Sequence, residues 1–326
     1  MGFLVSIVIP TYNRAELLPV SVRSVIAQTY RPLELVVVND GSKDNTPEIM
    51  NGLEQEAQAA GIQTRFVHQD NGGLATARRV GAEAATGDYF GYLDDDDTIE
   101  PEKIARQVAE LQRTGADCCC CYLLKITPTG TERHPNEKKK LMTGVNPGDY
   151  VAGRSYAHIN SLLIARRLWN EVGGFDPDLK IAEDVEWVAR LTHVAKFCAV
   201  EEVLGRYEFT EGALSRADSL EEVIEQDRSM EKALLRIRER NKDRENWDEV
   251  SWRQRVADVF DEIVKHLLYA GRRSEAAEKW RWAMRATGGH EKLKRTRRKL
   301  RKARWLALVG KRLRHPKFSD HAELRM

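Results

Sequence analysis

The sequence has no long apolar run. None of its stretches approaches the roughly 20 residues that a membrane-spanning helix needs, so we expect no such helix. The first residues contain neither a basic leader nor a small-residue cleavage site, so we predict no secretion signal. Hydrophobic residues make up 42% of the chain and charged residues 31%, which excludes collagen-like, mucin-like and wholly disordered proteins. A chain of 326 residues holds about two domains.

Cysteine is scarce and unevenly distributed. Four of the five cysteines are consecutive, from Cys118 to Cys121, and Cys198 stands alone. Because successive side chains of a strand point to opposite faces, four consecutive cysteines cannot all reach one metal ion. We therefore expect a buried strand over 117–125, with cysteine as a small apolar residue, and no metal or redox site. Free thiols fit a reducing cytoplasm, which is the location we predict.

The net charge of +2 hides an asymmetry between the body of the chain and its C-terminal end. Residues 286–326 carry 14 basic and 3 acidic residues, a net charge of +11, which leaves −9 on the rest. Within this end, the basic segment 292–314 also holds Trp305, Leu306, Leu308 and Val309. This combination is typical of a helix on an anionic membrane surface, so we predict peripheral membrane contact. The alternative is a solvated helix packed on the acidic body or a partner. No nucleic-acid-binding fingerprint is present, so we expect no such partner.

Buried β-branched runs alternate with helical periodicities along the first third of the chain. The pattern predicts strands at 5–9, 33–38, 64–68 and 89–93, and helices at 15–28, from 46, at 73–85 and at 101–112. This alternation is typical of a three-layer α/β domain with a mostly parallel sheet. Ligands of such sheets bind at the carboxyl ends of the strands.

The remaining two thirds of the chain change character twice. Residues 127–150 are rich in proline, glycine, threonine, asparagine and lysine, and we expect a long surface loop. Long charged helices are predicted from about Ser219. Residues 267–287 resemble one tetratricopeptide-type unit, which predicts a single helical hairpin. We predict two domains, 1–216 and 217–326.

Asp40 follows the second predicted strand and precedes Gly41. A carboxylate there can accept a hydrogen bond from a nucleobase ring N–H, while glycine lets the backbone approach the ligand closely. The alternative, which is favoured for this residue taken by itself, is an Asx-turn or a cap for the next helix.

Four consecutive aspartates, Asp94 to Asp97, follow the fourth predicted strand. Adjacent carboxylates raise one another's pKa unless a cation neutralises them, and their hard oxygen ligands suit Mg²⁺ or Mn²⁺. In an extended segment Asp94 and Asp96 would share a face, with Asp95 on the other. The alternative is a solvated acidic turn with Asp97 capping the next helix.

Two further charged sites accompany the aspartates. Arg78 lies on the helix before the acidic strand, where a guanidinium could pair with an acidic ligand or hold the aspartates; an exposed role is the better interpretation for Arg79. Glu183 and Asp184 open a predicted helix, and a carboxylate there could act as a general base on an acceptor hydroxyl. A plain N-cap is the alternative.

Together these motifs closely resemble the family 2 glycosyltransferases of the GT-A fold. The resemblance covers roughly residues 4–216, and the order and spacing of its motifs make it far more specific than any one of them. The matching segments are 5–14, 37–42, 71–78, 93–97 with Pro101, 173–176 and 183–184.

The resemblance implies a nucleotide-sugar site. The residues implied to bind the nucleotide are Pro10, Thr11, Tyr12, Asp40, Gly41, Arg78 and Asp95. Asp40 would contact the base, usually uracil in this family, Arg78 would steady the nucleotide side of the pocket, and Asp95 would lie near the ribose. Asp96, with help from Asp94, would hold Mn²⁺ or Mg²⁺ on the diphosphate.

The resemblance also implies an inverting reaction by direct displacement. Asp184 would be the general base, and Glu183 would shape the acceptor or donor-sugar site. His158 and Asn160 lie where the family builds its acceptor wall, and Trp187 faces nearly the same side of its helix as Asp184. A structural role is the alternative for each, and core packing is favoured for Trp187.

One departure from the family pattern concerns the metal. Many members carry Tyr-Arg-x-His after the base helix, and this histidine can complete metal binding. The chain has Tyr-Glu-Phe-Thr at 207–210 instead, so we expect Glu208, Glu211 or water to replace the histidine, or metal affinity to be weaker.

The sequence therefore predicts a metal-dependent inverting glycosyltransferase with a helical C-terminal appendage, cytoplasmic or peripheral at the inner face of a membrane. Its donor would be a UDP-sugar and its acceptor a glycan or lipid-linked hydroxyl. The alternatives are a catalytically silent scaffold that binds glycans or membranes, and a sugar nucleotidyltransferase, whose Gly-rich phosphate loop is missing after the first strand. A dinucleotide oxidoreductase is disfavoured because no Gly-x-Gly-x-x-Gly follows that strand.

Overall fold

The computed structural model describes residues 2–208 and 217–308, together with 311, 313, 315 and 316. The chain divides into two compact units, Met1–Glu211 and Gly212–Met326. The boundary predicted at 216 stays a prediction, since residues 209–216, including Thr210 and Glu211, lie outside the described residues. Val309 and parts of the basic segment after it also lie outside them.

The first unit is an α/β domain on a mixed sheet. Its described strands are β1 (Val5–Thr11), β2 (Leu33–Asn39), β3 (Gln63–His68), β4 (Tyr89–Tyr92), β5 (Thr98–Ile99), β6 (Cys118–Thr127), β7 (Gly130–His134), β8 (Lys140–Leu141), β9 (Ser155–Tyr156), β10 (Leu163–Ala165) and β11 (Phe197–Glu208). Its described helices are α1 (Leu18–Ile26), α2 (Thr46–Ala59), α3 (Leu74–Ala84), α4 (Lys103–Thr114), α5 (Pro147–Val151), α6 (Arg166–Val172) and α7 (Glu183–Thr192), with a 3₁₀ turn at Ile159–Ser161.

The strands of the main sheet follow the order β3-β2-β1-β4-β10-β6-β11-β5, and β7 pairs with β6. The half from β3 to β4 is parallel, as predicted, and every residue of β1 and β2 is buried. Continuous apolar runs suit these central strands because helices cover both faces of a parallel sheet. In the other half, β10 runs antiparallel to β4 and β6, and β5 runs antiparallel to β11. The sheet is therefore mixed.

The cysteine strand is confirmed, whereas the long loop predicted at 127–150 is wrong in part. All five cysteines are buried and unpaired. β6 continues to Thr127 and turns at Gly130 (φ 140°) into β7, with which it forms an antiparallel hairpin. The residues of β7 are mostly exposed and polar, so no apolar alternation marked this strand in the sequence.

The second unit is helical. Its described helices are α8 (Leu220–Asn241), α9 (Glu249–Tyr269), α10 (Arg273–Ala286) and α11 (Glu291–Leu308). The predicted hairpin is confirmed: α9 and α10 pack on each other across a turn at Gly271, whose φ is 77°. Among the residues described, no helix is both long and apolar enough to cross a membrane.

Candidate functional site

The predicted site residues lie at the carboxyl ends of neighbouring strands. Pro10 and Thr11 end β1 and are buried, whereas the Tyr12 side chain that follows is 44% exposed. Asp40 follows β2, and its amide donates to the Thr11 carbonyl. The acidic segment follows β4, which pairs with β1. The sheet thus gathers three segments that are far apart in sequence.

Arg78 connects the acidic segment with the start of α7. Helix α3, which carries Arg78, can pack closely on β1 and β2 because Gly81 has no side chain. A Cβ at Gly81 would stand only 2.2 Å from the Val8 side chain. From there the buried guanidinium donates through Nη2 to Asp94 Oδ1 (2.6 Å) and through Nη1 to Glu183 Oε1 (2.5 Å). Burial by itself would lower the pKa of Arg78, but the surrounding carboxylates outweigh burial and raise it. Arg78 is therefore a buried cation shared by two carboxylates.

The acidic segment forms a turn and is not the extended stretch predicted from the sequence. The Asp97 amide donates to the Asp94 carbonyl at 3.1 Å, which closes the turn. Asp97 does not cap α4, whose N-cap is Glu102. Its buried carboxylate accepts from the Glu208 amide (2.8 Å) and from the Asn160 side-chain amide.

Asn160 holds this turn through hydrogen bonds, and Lys103 in turn holds Asn160. The Asn160 side-chain amide donates to Asp94 Oδ2 at 3.1 Å as well as to Asp97. The backbone carbonyl of Asn160 accepts from Lys103 Nζ at 2.8 Å. Asn160 is buried and belongs to the acidic cluster, and its acceptor role stays a prediction. Sequence reasoning missed Lys103, which is fully buried at the start of α4, and no sequence signal marked it.

The turn carries excess negative charge, which fits a cation. Burial raises the pKa of Asp95 to about 7, with a further contribution from the charge of Asp96. Burial and the charge of Asp94 raise the pKa of Asp97 well above its usual range. No three His, Cys, Asp or Glu side chains form a metal cage within the described residues. Mg²⁺ is usually held by one or two carboxylates plus substrate phosphates, so Asp96 and Asp94 fit such a cation.

Glu183 and Asp184 occupy the first turn of α7, where free backbone amides favour negative charge. The N-cap is Ala182, so neither residue is the cap. Asp184 Oδ1 accepts from the Val185 amide at 2.8 Å. Burial raises the pKa of Asp184 and raises that of Glu183 to about 7, although Arg78 opposes both shifts. These carboxyls therefore hold protons more readily than exposed ones.

The prediction that Trp187 stacks on an acceptor is wrong, and its core alternative is confirmed. The indole is 0% exposed, lies 4.7 Å from the Phe175 ring and donates to the Gly173 carbonyl at 2.8 Å. Arg190, which sequence reasoning missed, donates to the carbonyls of Val172 and Gly174 while pairing with Glu186. The i,i+4 spacing of Glu186 and Arg190 was the available signal.

Asp40 anchors the loop before α3. Its buried carboxylate accepts from Gln69 Nε2 (2.7 Å) and from the amides of Gly72 and Gly73 (2.8 Å each). Gly41 has φ 74°, and a Cβ there would meet the Asn71 amide at 2.8 Å. Asp40 therefore has a structural role, but it does not cap the next helix, α2, whose N-cap is Asn45. Base binding stays a prediction.

His158 lies beside the acidic turn in a group of rings. Its Nδ1 accepts from the Asn160 amide at 3.2 Å, and its ring centroid lies 4.7 Å from that of Tyr207. Burial lowers the pKa of His158 to about 4, against the charge of Asp94. The side chain is therefore a neutral imidazole at neutral pH, and an acceptor role stays a prediction.

Comparisons with known proteins identify the family and the fold. The family model "Glycosyl transferase family 2" matches residues 6–175, a little over half of the chain. An uncharacterized glycosyltransferase of Rickettsia felis is 31% identical over 217 residues, which cover 63% of this chain and 34% of that relative. A hyaluronan synthase of Pasteurella multocida is 31% identical over 202 residues, 60% of this chain and 19% of that relative. The match thus spans about a third of the length of the first relative and about a fifth of the second.

Solved structures share the fold. S. aureus TarS 1–349 in complex with UDP-GlcNAc has a TM-score of 0.58 at 18% identity, covering 95% of this chain and 93% of that one. The mannosyltransferase PcManGT from Pyrobaculum calidifontis, in complex with GDP-Man and Mn²⁺, has a TM-score of 0.60 at 18% identity, covering 94% and 81%. The chain therefore belongs to glycosyl transferase family 2, with the GT-A fold and a helical C-terminal region.

Proposed function

We propose that this chain transfers a sugar from a nucleotide donor, with UDP favoured, to a hydroxyl of a glycan or lipid-linked acceptor, with inversion. The observation that carries the proposal is the shared pairing of Arg78 with Asp94 and Glu183. It brings the acidic turn, where a donor diphosphate would be held, next to the start of α7. A nucleotide and a nucleophile would thus meet in one pocket, which removes much of the entropic barrier to transfer.

Asp96, with Asp94, would hold the divalent cation. When bound, Mn²⁺ or Mg²⁺ supplies positive charge for the departing diphosphate. The donor set supports this role, because hard carboxylate oxygens suit these ions. The Asn160 side-chain amide donates to one oxygen of Asp94, and Arg78 donates to the other. The orientation of that carboxylate is therefore fixed before any ligand binds.

Asp184 would act as the general base. Its pKa is raised by burial, which brings it closer to that of a proton acceptor working near neutral pH. It would remove the acceptor proton as the oxygen attacks the sugar from the face opposite the diphosphate. Glu183 is held by Arg78 and would shape the adjacent sugar site.

The nucleotide would lie over the ends of β1 and β2. The exposed Tyr12 ring would cover a base or ribose, and Asp40 holds the glycine-rich loop before α3 through the amides of Gly72 and Gly73. The solved relatives carry UDP-GlcNAc in one case and GDP-Man in the other. We favour UDP because of the family resemblance around Asp40.

The proposed setting is the cytoplasm, at or near a membrane. Five buried, unpaired thiols fit a reducing compartment. A lipid-linked acceptor would be presented at a membrane surface, so we keep an anionic membrane as a proposed partner of the basic C-terminal segment.

A donor panel tests the proposal. Thermal stabilisation and hydrolysis of UDP-, GDP- and dTDP-sugars would be measured with and without Mn²⁺, on the wild type, Asp96→Asn and Asp184→Asn. We expect the largest stabilisation from UDP-sugars with Mn²⁺, its loss in Asp96→Asn, and binding without turnover in Asp184→Asn. Asp243→Asn, an exposed change in the helical unit, is the matched control.

The alternatives give different results. A silent scaffold would bind donor with no turnover in any variant. A nucleotidyltransferase would instead form a nucleotide sugar from a nucleoside triphosphate and a sugar phosphate. Stabilisation by guanine-linked donors alone would contradict the uracil assignment of Asp40.

A further inference from the structure

Helix α11 is packed on one face only. Its buried residues Leu293, Thr296, Leu300 and Ala303 follow a 3-4-3 spacing, which forms a single stripe on a helix. The stripe is held against the other helices: Trp280 Nε1 donates to the Leu293 carbonyl at 2.8 Å, and Lys292 pairs with Asp258 at 2.7 Å. The apolar stripe is therefore used inside the helical unit, as the packed-helix alternative had predicted.

The outer face of α11 is strongly basic. The helix carries nine basic residues and one acidic residue, a net charge of +8. Seven of the nine basic side chains are exposed, namely Lys294, Arg295, Arg297, Arg298, Arg301, Lys302 and Arg304. Among the described residues, four of these make no ion pair and no aromatic contact: Arg298, Arg301, Lys302 and Arg304; Arg295 interacts with the charge of Glu291. Much of the charge is thus unneutralised.

Two large apolar side chains lie on this same basic face. Arg298, Arg301, Trp305 and Leu308 repeat the 3-4-3 spacing five residues beyond the buried stripe, so their face is turned about 140° from it. Trp305 is 62% exposed and Leu308 is 85% exposed. The described part of α11 therefore presents cations along its length and an apolar end in its last turn.

We propose that the outer face of α11 binds an anionic lipid bilayer, with Trp305 and Leu308 entering the headgroup region. Basic residues near such a surface are attracted to its negative charge, so the exposed cations of this face together provide a large attraction. The indole suits the interface because its ring is apolar and its N–H is polar. A nucleic acid would use the cations and gain nothing from Leu308, which favours the bilayer.

This inference deepens the proposed function by naming the surface that would meet a lipid-linked acceptor. Its biological sense rests on that function, but its evidence is the face of α11 alone. The test therefore measures binding without turnover, so that each proposal can fail separately.

The test is co-sedimentation of the full chain with phosphatidylcholine vesicles, with and without phosphatidylglycerol, at low and high salt. We expect binding only to the anionic vesicles, weakened by salt, and reduced about tenfold or more in Arg298→Glu/Lys302→Glu. The matched control is Arg281→Glu/Arg285→Glu, an exposed pair with the same spacing on α10 and the same charge change. Donor hydrolysis without vesicles should stay unchanged in both double variants.

The apolar end is tested by Trp305→Ser/Leu308→Ser, with the exposed Val250→Ser as control. We expect the binding of the double variant to become more sensitive to salt, because only the electrostatic part remains. Three results would overturn the proposal. The chain could bind neutral and anionic vesicles equally, or the α10 control pair could lose as much vesicle binding as the α11 pair. A polynucleotide could also bind the chain at a lower concentration than the vesicles and displace them. Loss of donor turnover with normal vesicle binding would instead count against the proposed function alone.

Discussion

Arg78 and Glu183 form a buried ion pair across 105 residues of sequence, with Nη1 of the arginine 2.5 Å from Oε1 of the glutamate and 4% of each side chain exposed. The second Nη of the same guanidinium holds Asp94 at 2.6 Å. Because the guanidinium is planar and rigid, it sets the spacing between these two carboxylates. One side chain from α3 thus aligns the acidic turn after β4 with the start of α7.

Replacing Arg78 should damage both stability and turnover. Arg78→Met leaves two buried carboxylates without their cation, and we expect a loss of about 3–5 kcal/mol in the free energy of unfolding. Arg78→Lys keeps the charge and loses the fork, so we expect a smaller stability loss with a clear fall in turnover. Denaturant unfolding and donor hydrolysis measure these effects.

The neighbouring Arg79 provides the control. It pairs with Glu83 on the surface, and such exposed pairs contribute about 0–1 kcal/mol. Arg79→Met should therefore change little. Similar losses in Arg78→Met and Arg79→Met would contradict the central position of Arg78.

We expect that a carboxylate of the same shape cannot replace the side-chain amide of Asn160. Asn160→Asp places a third negative charge between Asp94 and Asp97 and removes the two donated hydrogen bonds. We expect a stability loss of at least about 1–3 kcal/mol, larger above neutral pH, measured by urea unfolding. Asn51→Asp, an exposed change on α2, should leave the midpoint almost unchanged. A tolerated Asn160→Asp would contradict the network described for the acidic turn.

Protonation of Glu183 should make stability depend on pH. Burial raises its folded-state pKa from 4.5 to about 7, with Arg78 opposing the shift and Asp184 adding to it. The folded state therefore binds this proton more tightly, so the stabilisation is full below pH 4.5 and is lost as the pH rises toward 7. Glu183→Gln should flatten the fall in unfolding free energy between these pH values. An unchanged slope in this variant would show that Glu183 is ionised throughout.

Truncation of Trp187 should destabilise the fold, whereas truncation of Trp305 should not. Trp187→Ala removes a fully buried indole and its hydrogen bond to Gly173, and large-to-small core changes of this kind cost about 3–5 kcal/mol. Trp305→Ala removes an exposed ring and should leave thermal unfolding nearly unchanged. If Trp187 contacted an acceptor, the conservative Trp187→Phe would raise KM for that acceptor with little loss of stability; we expect a loss of stability instead.

The sequence predicted the parallel half of the sheet well and the other, mixed half poorly. In that half β11 pairs with β6 in parallel, whereas β7 and β10 pair with β6 in antiparallel orientation. Fully buried strands such as β1 and β2 have continuous β-branched runs, and these carry a clear signal. β7 and β10 carry none, because one is a polar edge strand and the other is only three residues long. The hairpin of β6 and β7 therefore appeared in the sequence as a polar loop.

The sequence also predicted which charged residues gather at the site, but not what each one touches. One interpretation of the acidic segment placed Asp97 as the cap of α4, yet its carboxylate reaches Asn160 and the end of β11. Lys103 appeared to be an ordinary helix-start residue and is fully buried. Such contacts join elements that are distant along the chain, and periodicity reports only on neighbours within one helix or strand.

By itself the sequence determined the family, the buried parallel strands, the helical C-terminal third and the identity of the acidic and basic motifs, because these follow from local residue patterns and their order. Only the tertiary structure decided that Arg78 is shared by Asp94 and Glu183, that Trp187 belongs to the core, and that the cations of α11 face outward with Trp305. The physical reason is that burial and ion pairing depend on which surfaces meet after folding, and a linear pattern does not specify those partners.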